Sequence, residues 1–183
     1  MNFHVAISKL NTDVQNVGGS IGGQSVAAGN TLDVTTMQDT NVTNKQFSTS
    51  VNIAASANVN AKNIGGDVGF VSQAACNSAN VSTDPTTTAV YSNQECYAQD
   101  PSASINANLR NVGGGVSLAS VAVGNTFSED TNAPNAPVQN YQINKSSVYG
   151  TTNATIKNVG GNVGLSASAV GNSAQIVHYN IGN

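Results

Sequence analysis

Reactive side chains are few in this chain and poorly placed for chemistry. It holds two histidines, nine acids and six basic residues among 183. His4 and His178 lie near opposite termini, so no serine, histidine and acid can be assembled into a nucleophilic set from sequence. If the two ends met, the histidines could form a pH-sensitive or metal-binding pair; otherwise they are solvated or face outward along a strand. Glu129 and Asp130 are the only adjacent acids, and their surroundings match no calcium-loop spacing. A pair of glycosidase carboxylates normally sits among aromatic and basic residues, which are scarce here. These residues argue against an enzyme, and no cofactor or metal is expected.

Cys76 and Cys96 are the only thiols. They form no Cys-x-x-Cys pair and have no histidine nearby, so zinc is a poor fit. A disulfide suits the outward-facing composition of the chain, with two buried free thiols as the alternative. Closing a loop of this length adds about 3 kcal/mol in the chain-entropy model.

The elements that carry these residues are repeated. One sixteen-residue phrase occurs four times, at Asn16–Thr31, Asn63–Ser78, Asn111–Thr126 and Asn158–Ser173. Each copy opens on an Asn-x-Gly-Gly turn: Asn16, Gly18 and Gly19; Asn63, Gly65 and Gly66; Asn111, Gly113 and Gly114; Asn158, Gly160 and Gly161. Cys76 replaces the glycine that the other copies have at Gly29, Gly124 and Gly171. A period of 47 or 48 residues marks an array built from one supersecondary unit. Arrays of this kind serve mostly as scaffolds, fibres and binding surfaces.

Within a unit the hydrophobic pattern has period two. Ile105, Ala107 and Leu109 alternate with Asn106, Asn108 and Arg110; after the glycines, Val116, Leu118, Ser120 and Ala122 alternate again. The fourth copy places Ala154, Ile156, Val163 and Leu165 inward in the same way. Half-buried strands read like this, and no stretch shows a helical period. The fold class is therefore all-β, a β-solenoid-like stack of four repeats in one domain spanning 1–183. A closed ring or a sandwich is the alternative. The glycine pair is expected to supply positive φ, and Gly124-Asn125 to end the second strand. Between the phrases, 32–62, 79–110 and 127–157 are variable; the prolines Pro85, Pro101, Pro134 and Pro137 and clusters such as Asp84–Thr88 and Asn132–Pro137 read as exposed loops where binding specificity would sit.

Only 8% of residues are charged, the net charge is −3, and 27 residues are asparagine. Typical domains are about 25% charged. Uncharged amides at fixed repeat positions suit stacked strands in which like residues form ladders. The missing basic stripe argues against nucleic acid. No apolar run reaches the ~20 residues of a membrane span. The first ten residues lack the pattern of a signal peptide, which fits either a removed leader or a virion part.

Lys62, Arg110 and Lys157 share one repeat position. Stacked at about 4.8 Å they would repel, so each repeat is expected to contribute two layers, separating them to about 9–10 Å. At the termini, Phe3, Val5 and Ile7 begin the chain in strand pattern, and Ile176, Val177, Tyr179 and Ile181 end it. Neither end shows a polar cap, and uncapped strands invite another strand. These residues are the expected contacts of a head-to-tail homopolymer.

Gly171–Ile176 (GNSAQI) resembles the turn and strand of the curlin repeats of bacterial curli fibres. Ser120–Asn125 (SVAVGN) resembles the head repeat of trimeric autotransporter adhesins. The full phrase is similar to the repeat-rich adhesin and holdfast-anchor proteins of bacteria. The resemblance implies a secreted β-repeat polymer or adhesin and carries over no functional residue. The expected function is a structural, non-catalytic subunit of an extracellular fibre or surface appendage. A phage fibre or decoration protein, and a module binding a glycan or host surface through its loops, are the alternatives.

Overall fold

The computed structural model describes residues 5–49, 52–83, 89–98, 100–131 and 137–179. Among them are eleven strands and no helix. The strands are β1 (Ala6–Val17), β2 (Ile21–Thr36), β3 (Val42–Ser48), β4 (Ile53–Ile64), β5 (Val68–Thr83), β6 (Val90–Cys96), β7 (Ser102–Val112), β8 (Val116–Thr131), β9 (Val138–Asn144), β10 (Tyr149–Val159) and β11 (Val163–His178). They form three parallel sheets with the orders β1-β4-β7-β10, β2-β5-β8-β11 and β3-β6-β9. We term these the front, back and side sheets.

The chain runs along the front sheet, turns at the glycine pair, and returns along the back sheet. It then runs through the side sheet and rejoins the front sheet one layer further on. Each residue pairs with its equivalent one repeat away, as in Leu118 with Leu165 and Ala57 with Ile105. The stack is a solenoid. A closed ring is excluded, because β1 and β10 occupy opposite edges of the front sheet.

The alternation read from the sequence sets the core. Ile105 and Leu109 are fully buried, and Ala107 lies with them among Val59, Ile64, Val68, Phe70, Val112, Val116 and Leu118 between the front and back sheets. Each such large side chain contributes about 1.5–3 kcal/mol by leaving water. A second cluster around Phe127, Val81 and Val90 joins the far half of the back sheet to the side sheet.

Several expectations from sequence need correction. Each repeat makes one layer, because three strands divide its length. Lys62 pairs directly with Arg110, and Arg110 with Lys157. All three side chains are exposed. In bulk water two unit charges at 4 Å repel by only about 1 kcal/mol, and long side chains splay further apart than that. Among the described residues no glycine has positive φ; Asn16, Asn63, Asn111 and Asn158 do, with φ of 56–58°. Asparagine tolerates that region because its short amide bonds locally. Gly124-Asn125 does not end its strand. β8 runs through it, and Gly124 and Asn125 are both buried, so the alternation slips by one residue. Asp84–Thr88 lies outside the described residues, as does Asn132–Pro137 except for Pro137 itself.

Candidate functional site

The polar groups inside and along this solenoid form columns that run from one end to the other. In the interior, Asn30 donates to Asn77 at 2.7 Å, Asn77 to Asn125 at 2.7 Å and Asn125 to Asn172 at 2.8 Å. The slip at the preceding glycine or cysteine turns these side chains inward. Asn77 and Asn125 are completely buried. Their amides also donate across the interior to the carbonyls of Glu95 and Ile143, so the ladder ties the back sheet to the side sheet. A second interior ladder stands in the side sheet. Gln94 donates to Gln46 at 2.7 Å and Gln142 to Gln94 at 2.8 Å, while all three reach back-sheet carbonyls at Ser78, Thr126 and Ser173. Sequence reasoning missed this glutamine column. Its signal was the spacing of 48 residues between Gln46, Gln94 and Gln142.

Other columns are exposed. Asn63, Asn111 and Asn158 each donate to the preceding asparagine of the turn at 2.7–3.0 Å. Asn11, Asn58, Asn106 and Asn153 form another ladder along the outer front sheet, at 2.9–3.3 Å. They line a shallow trough that crosses all four front strands.

The turn glycines serve close approach between layers. A Cβ on Gly65 or Gly113 would lie 2.5 Å from the carbonyl oxygen of the glycine one layer away. Inside the corner, size is traded across the interior. A Cβ on Gly29 would lie 3.0 Å from Ser48 Oγ, and one on Gly124 would lie 2.7 Å from Asn144 Cγ. The intervening layer fills the same space with the Cys76–Cys96 disulfide, whose Cα atoms are 5.9 Å apart. Both cysteines are wholly buried, and they bridge the back and side sheets.

The final layer differs from the rest. Leu118 is 1% exposed, but Leu165, its partner on the next strand, is 49% exposed; Val81 is fully buried, but Ile176 in the same column is 46% exposed. Val163 and Leu165 therefore point inward as expected and yet meet solvent. Of the proposed contact residues, Phe3 and Ile181 lie outside the described residues, as does His4. Val5, Ile7, Ile176 and Tyr179 are all exposed. Ile7 belongs to β1, where it pairs with Ala54 of its own chain and faces outward; Ala6, Ser8 and Leu10 take the inward phase.

Glu129 occupies an inward position of β8 where its layer neighbours are Val81 and Ile176. It is fully buried and neither carboxylate oxygen accepts a hydrogen bond. His178 Nε2 lies 3.5 Å away. Burial pushes the Glu129 carboxyl above the ordinary range, His178 pulls it back and Asp130 pushes it further up. On the outer side sheet, Phe47 and Tyr97 contact at 5.2 Å, Lys145 sits over the Tyr97 ring, and the Tyr97 hydroxyl bonds Glu95.

No cluster of residues able to hold a metal occurs among the described residues. Nor is any helix there long and apolar enough to cross a membrane. No curated protein and no solved structure matches the chain. The pattern describing holdfast attachment protein D (HfaD) matches residues 5–182. That match spans all eleven strands, and it agrees with the resemblance to holdfast-anchor proteins carried by the repeated phrase. This chain belongs to the HfaD family of holdfast attachment proteins, whose place of action is the cell surface.

Proposed function

We propose that this chain is a non-catalytic structural subunit of a surface attachment structure, and that copies add head to tail through their free strand edges. One observation carries the reading: the interior ladder from Asn30 to Asn172 and the turn ladder from Asn16 to Asn158 each end in asparagine at both ends of the stack. Asn172 is the next donor in the interior ladder, and Asn30 of another copy offers the same amide that Asn77 offers within the chain. In the exposed turn ladder the direction is opposite, and Asn16 of the added copy would donate to Asn158 as Asn63 does to Asn16. The rule that holds layer to layer within one molecule thus extends to a second molecule. Strand addition of this kind satisfies main-chain groups along the whole edge, and the inward side chains fix the register.

The contact centres on the free edges of β1 and β2 in one copy and of β10 and β11 in the next. Val5, Ile7, Ile176 and Tyr179 lie along or beside those edges, and Phe3 and Ile181 belong to the segments that flank them. The interface is heterologous and does not close, so it builds a filament. The virion reading draws no support from the family.

The test is electron microscopy with sedimentation of the wild type and of a Leu165→Lys/Ile176→Lys variant. Wild type is expected to form filaments as concentration rises. The variant, altered only at exposed positions, is expected to stay monomeric with unchanged strand content. A wild type that is monomeric at every concentration, or a variant that still forms filaments, overturns the reading.

A further inference from the structure

The three sheets do not hold equal numbers of strands. Among the described residues the front and back sheets have four each and the side sheet has three. The fourth layer thus has a front strand, β10, and a back strand, β11, with no side strand to cover the second half of β11. β9 is left as an open edge beside it. The Val90 amide donates to the Pro137 carbonyl, and the Cys96 carbonyl accepts from the Lys145 amide, so Val90 and Cys96 turn their main-chain groups toward β9. Their register partners Val138 and Asn144, with Asn140 and Gln142 between them in the same phase, turn theirs toward the open edge. Unpaired groups of this kind are a template for another strand.

Side-chain columns are interrupted at the same place. Asn30, Asn77 and Asn125 each donate to a carbonyl of the side strand in their own layer, at Phe47, Glu95 and Ile143, which are register partners. Asn172 has no such strand in its layer. It reaches back to the Gln142 carbonyl at 3.4 Å, the longest contact of the four. Ile176 is 46% exposed, although Val81 in its column is sealed in the cluster with Val90. The glutamine column is staggered. Gln46, Gln94 and Gln142 each donate to the back strand one layer ahead, at Ser78, Thr126 and Ser173. A glutamine in the fourth side position would therefore reach past β11, to the Thr31 carbonyl of a copy added head to tail, because Thr31 stands in the column of Ser78.

We propose that this open position takes an extended strand of another polypeptide, which adds parallel to β9 and bridges two copies of the chain. The existing side strands prescribe its length and its inward residues. Each has seven residues. Their alternate positions read valine, then Asn or Ser, then Gln, then a small or amide residue, as in Val42, Asn44, Gln46 and Ser48. The incoming glutamine donates to Gln142 as Gln142 donates to Gln94, its valine covers Ile176, and one of its carbonyls takes the Asn172 amide. Main-chain bonds along the edge supply affinity, and the alternate side chains supply selectivity. β3, β6 and β9 are each built into their own layer, so a second copy would have to unfold one of them to provide the strand. At a head-to-tail joint the far side of the incoming strand meets β3 of the added copy, so both its edges are paired. The bridge rests on the head-to-tail reading; capture at β9 does not.

Fluorescence anisotropy with a capped, labelled peptide of residues 41–49 (NVTNKQFST) tests the site. It is run on wild-type filaments and on a Val163→Lys/Leu165→Lys chain, altered on the half of β11 away from β9 and expected to stay monomeric. Saturable binding is expected in both, at least tenfold tighter on filaments. Ile176→Lys in the monomeric chain weakens it at least tenfold, and Tyr149→Ala on the front sheet leaves it unchanged. A peptide carrying Gln46→Val, or the same residues in scrambled order, binds at least tenfold more weakly. Hydrogen exchange at Val138, Asn140 and Gln142 slows when the peptide binds. No saturable binding to either protein, equal binding of the scrambled peptide, or unchanged exchange in β9 overturns strand capture. So do β9 amides already protected without peptide, which would show that this chain fills the position itself. Equal affinity for monomer and filament overturns the bridge. A wild type that forms no filaments removes the bridge together with the head-to-tail reading, while binding to the monomer still decides capture.

Discussion

The third and fourth layers have nearly the same sequence pattern and opposite surroundings. Leu118 and Leu165 are paired equivalents, yet one is sealed and the other is half in water. Asn125 and Asn172 stand in the same ladder, but only Asn125 has an amide partner on both sides. In this fold a residue is buried by the next layer, and little by its own. A terminal layer is therefore an unfilled interface, made from residues that are core everywhere else.

Equal substitutions in the two layers measure that difference. Leu118→Ala is expected to cost about 3 kcal/mol in denaturant unfolding, from lost transfer energy and a residual cavity. Leu165→Ala, tested as a monomer, is expected to cost under about 1 kcal/mol. The ladder gives a similar contrast. Asn77→Ala strips partners from Asn30, Asn125 and the Glu95 carbonyl at once, and is expected to cost about 3 kcal/mol. Asn172→Ala removes one ladder contact at the exposed end and is expected to cost about 1 kcal/mol or less. Equal costs at the two ends of either pair would contradict the layer-by-layer view.

The turn glycines sharpen the comparison at the opposite end. A Cβ at Gly18 meets nothing, whereas one at Gly113 meets the Gly65 carbonyl at 2.5 Å. Gly113→Ala is expected to lower stability by about 1–3 kcal/mol through overpacking, and Gly18→Ala to be nearly neutral until another copy stacks there.

Glu129 puts a carboxyl where the other layers carry Val34, Val81 and Ile176. Its raised carboxyl binds a proton more tightly folded than unfolded. Stability is therefore greatest below the ordinary carboxylate value and falls as pH rises through it toward the raised folded value. Glu129→Val, which restores the residue of the Val34 and Val81 column, is expected to gain about 1–2 kcal/mol at neutral pH and to flatten that pH slope. Thermal melts of both proteins from acid to neutral pH check this. A wild type whose stability climbs over that range, with no change in Glu129→Val, contradicts the assignment.

Much of the stack was legible because it is written four times. The alternation of Ile105, Ala107 and Leu109 gave the inward face directly, and Gly-Gly marked the turn between sheets. The layer count was misread because surface charge was weighed as though Lys62, Arg110 and Lys157 were dry. Positive φ was assigned to glycine by habit of residue type, while the structure uses Asn16 and its equivalents, whose amides also gain a ladder. The corner at Gly124-Asn125 looked like a stop because a one-residue slip and a strand end share the same signal. The column of Gln46, Gln94 and Gln142 depends on the register of β3, β6 and β9, which single-strand patterns do not contain.

Hydrogen exchange along β11, from Val163 to His178, tests the central claim most directly. In dilute monomer its free-edge amides should exchange fast while those of β8 stay protected. As filaments form, protection of β11 should rise to the level of β8. A β11 that stays unprotected in the assembled protein, or that is already as protected as β8 in the monomer, would contradict the claim that the last layer is an edge awaiting the next copy.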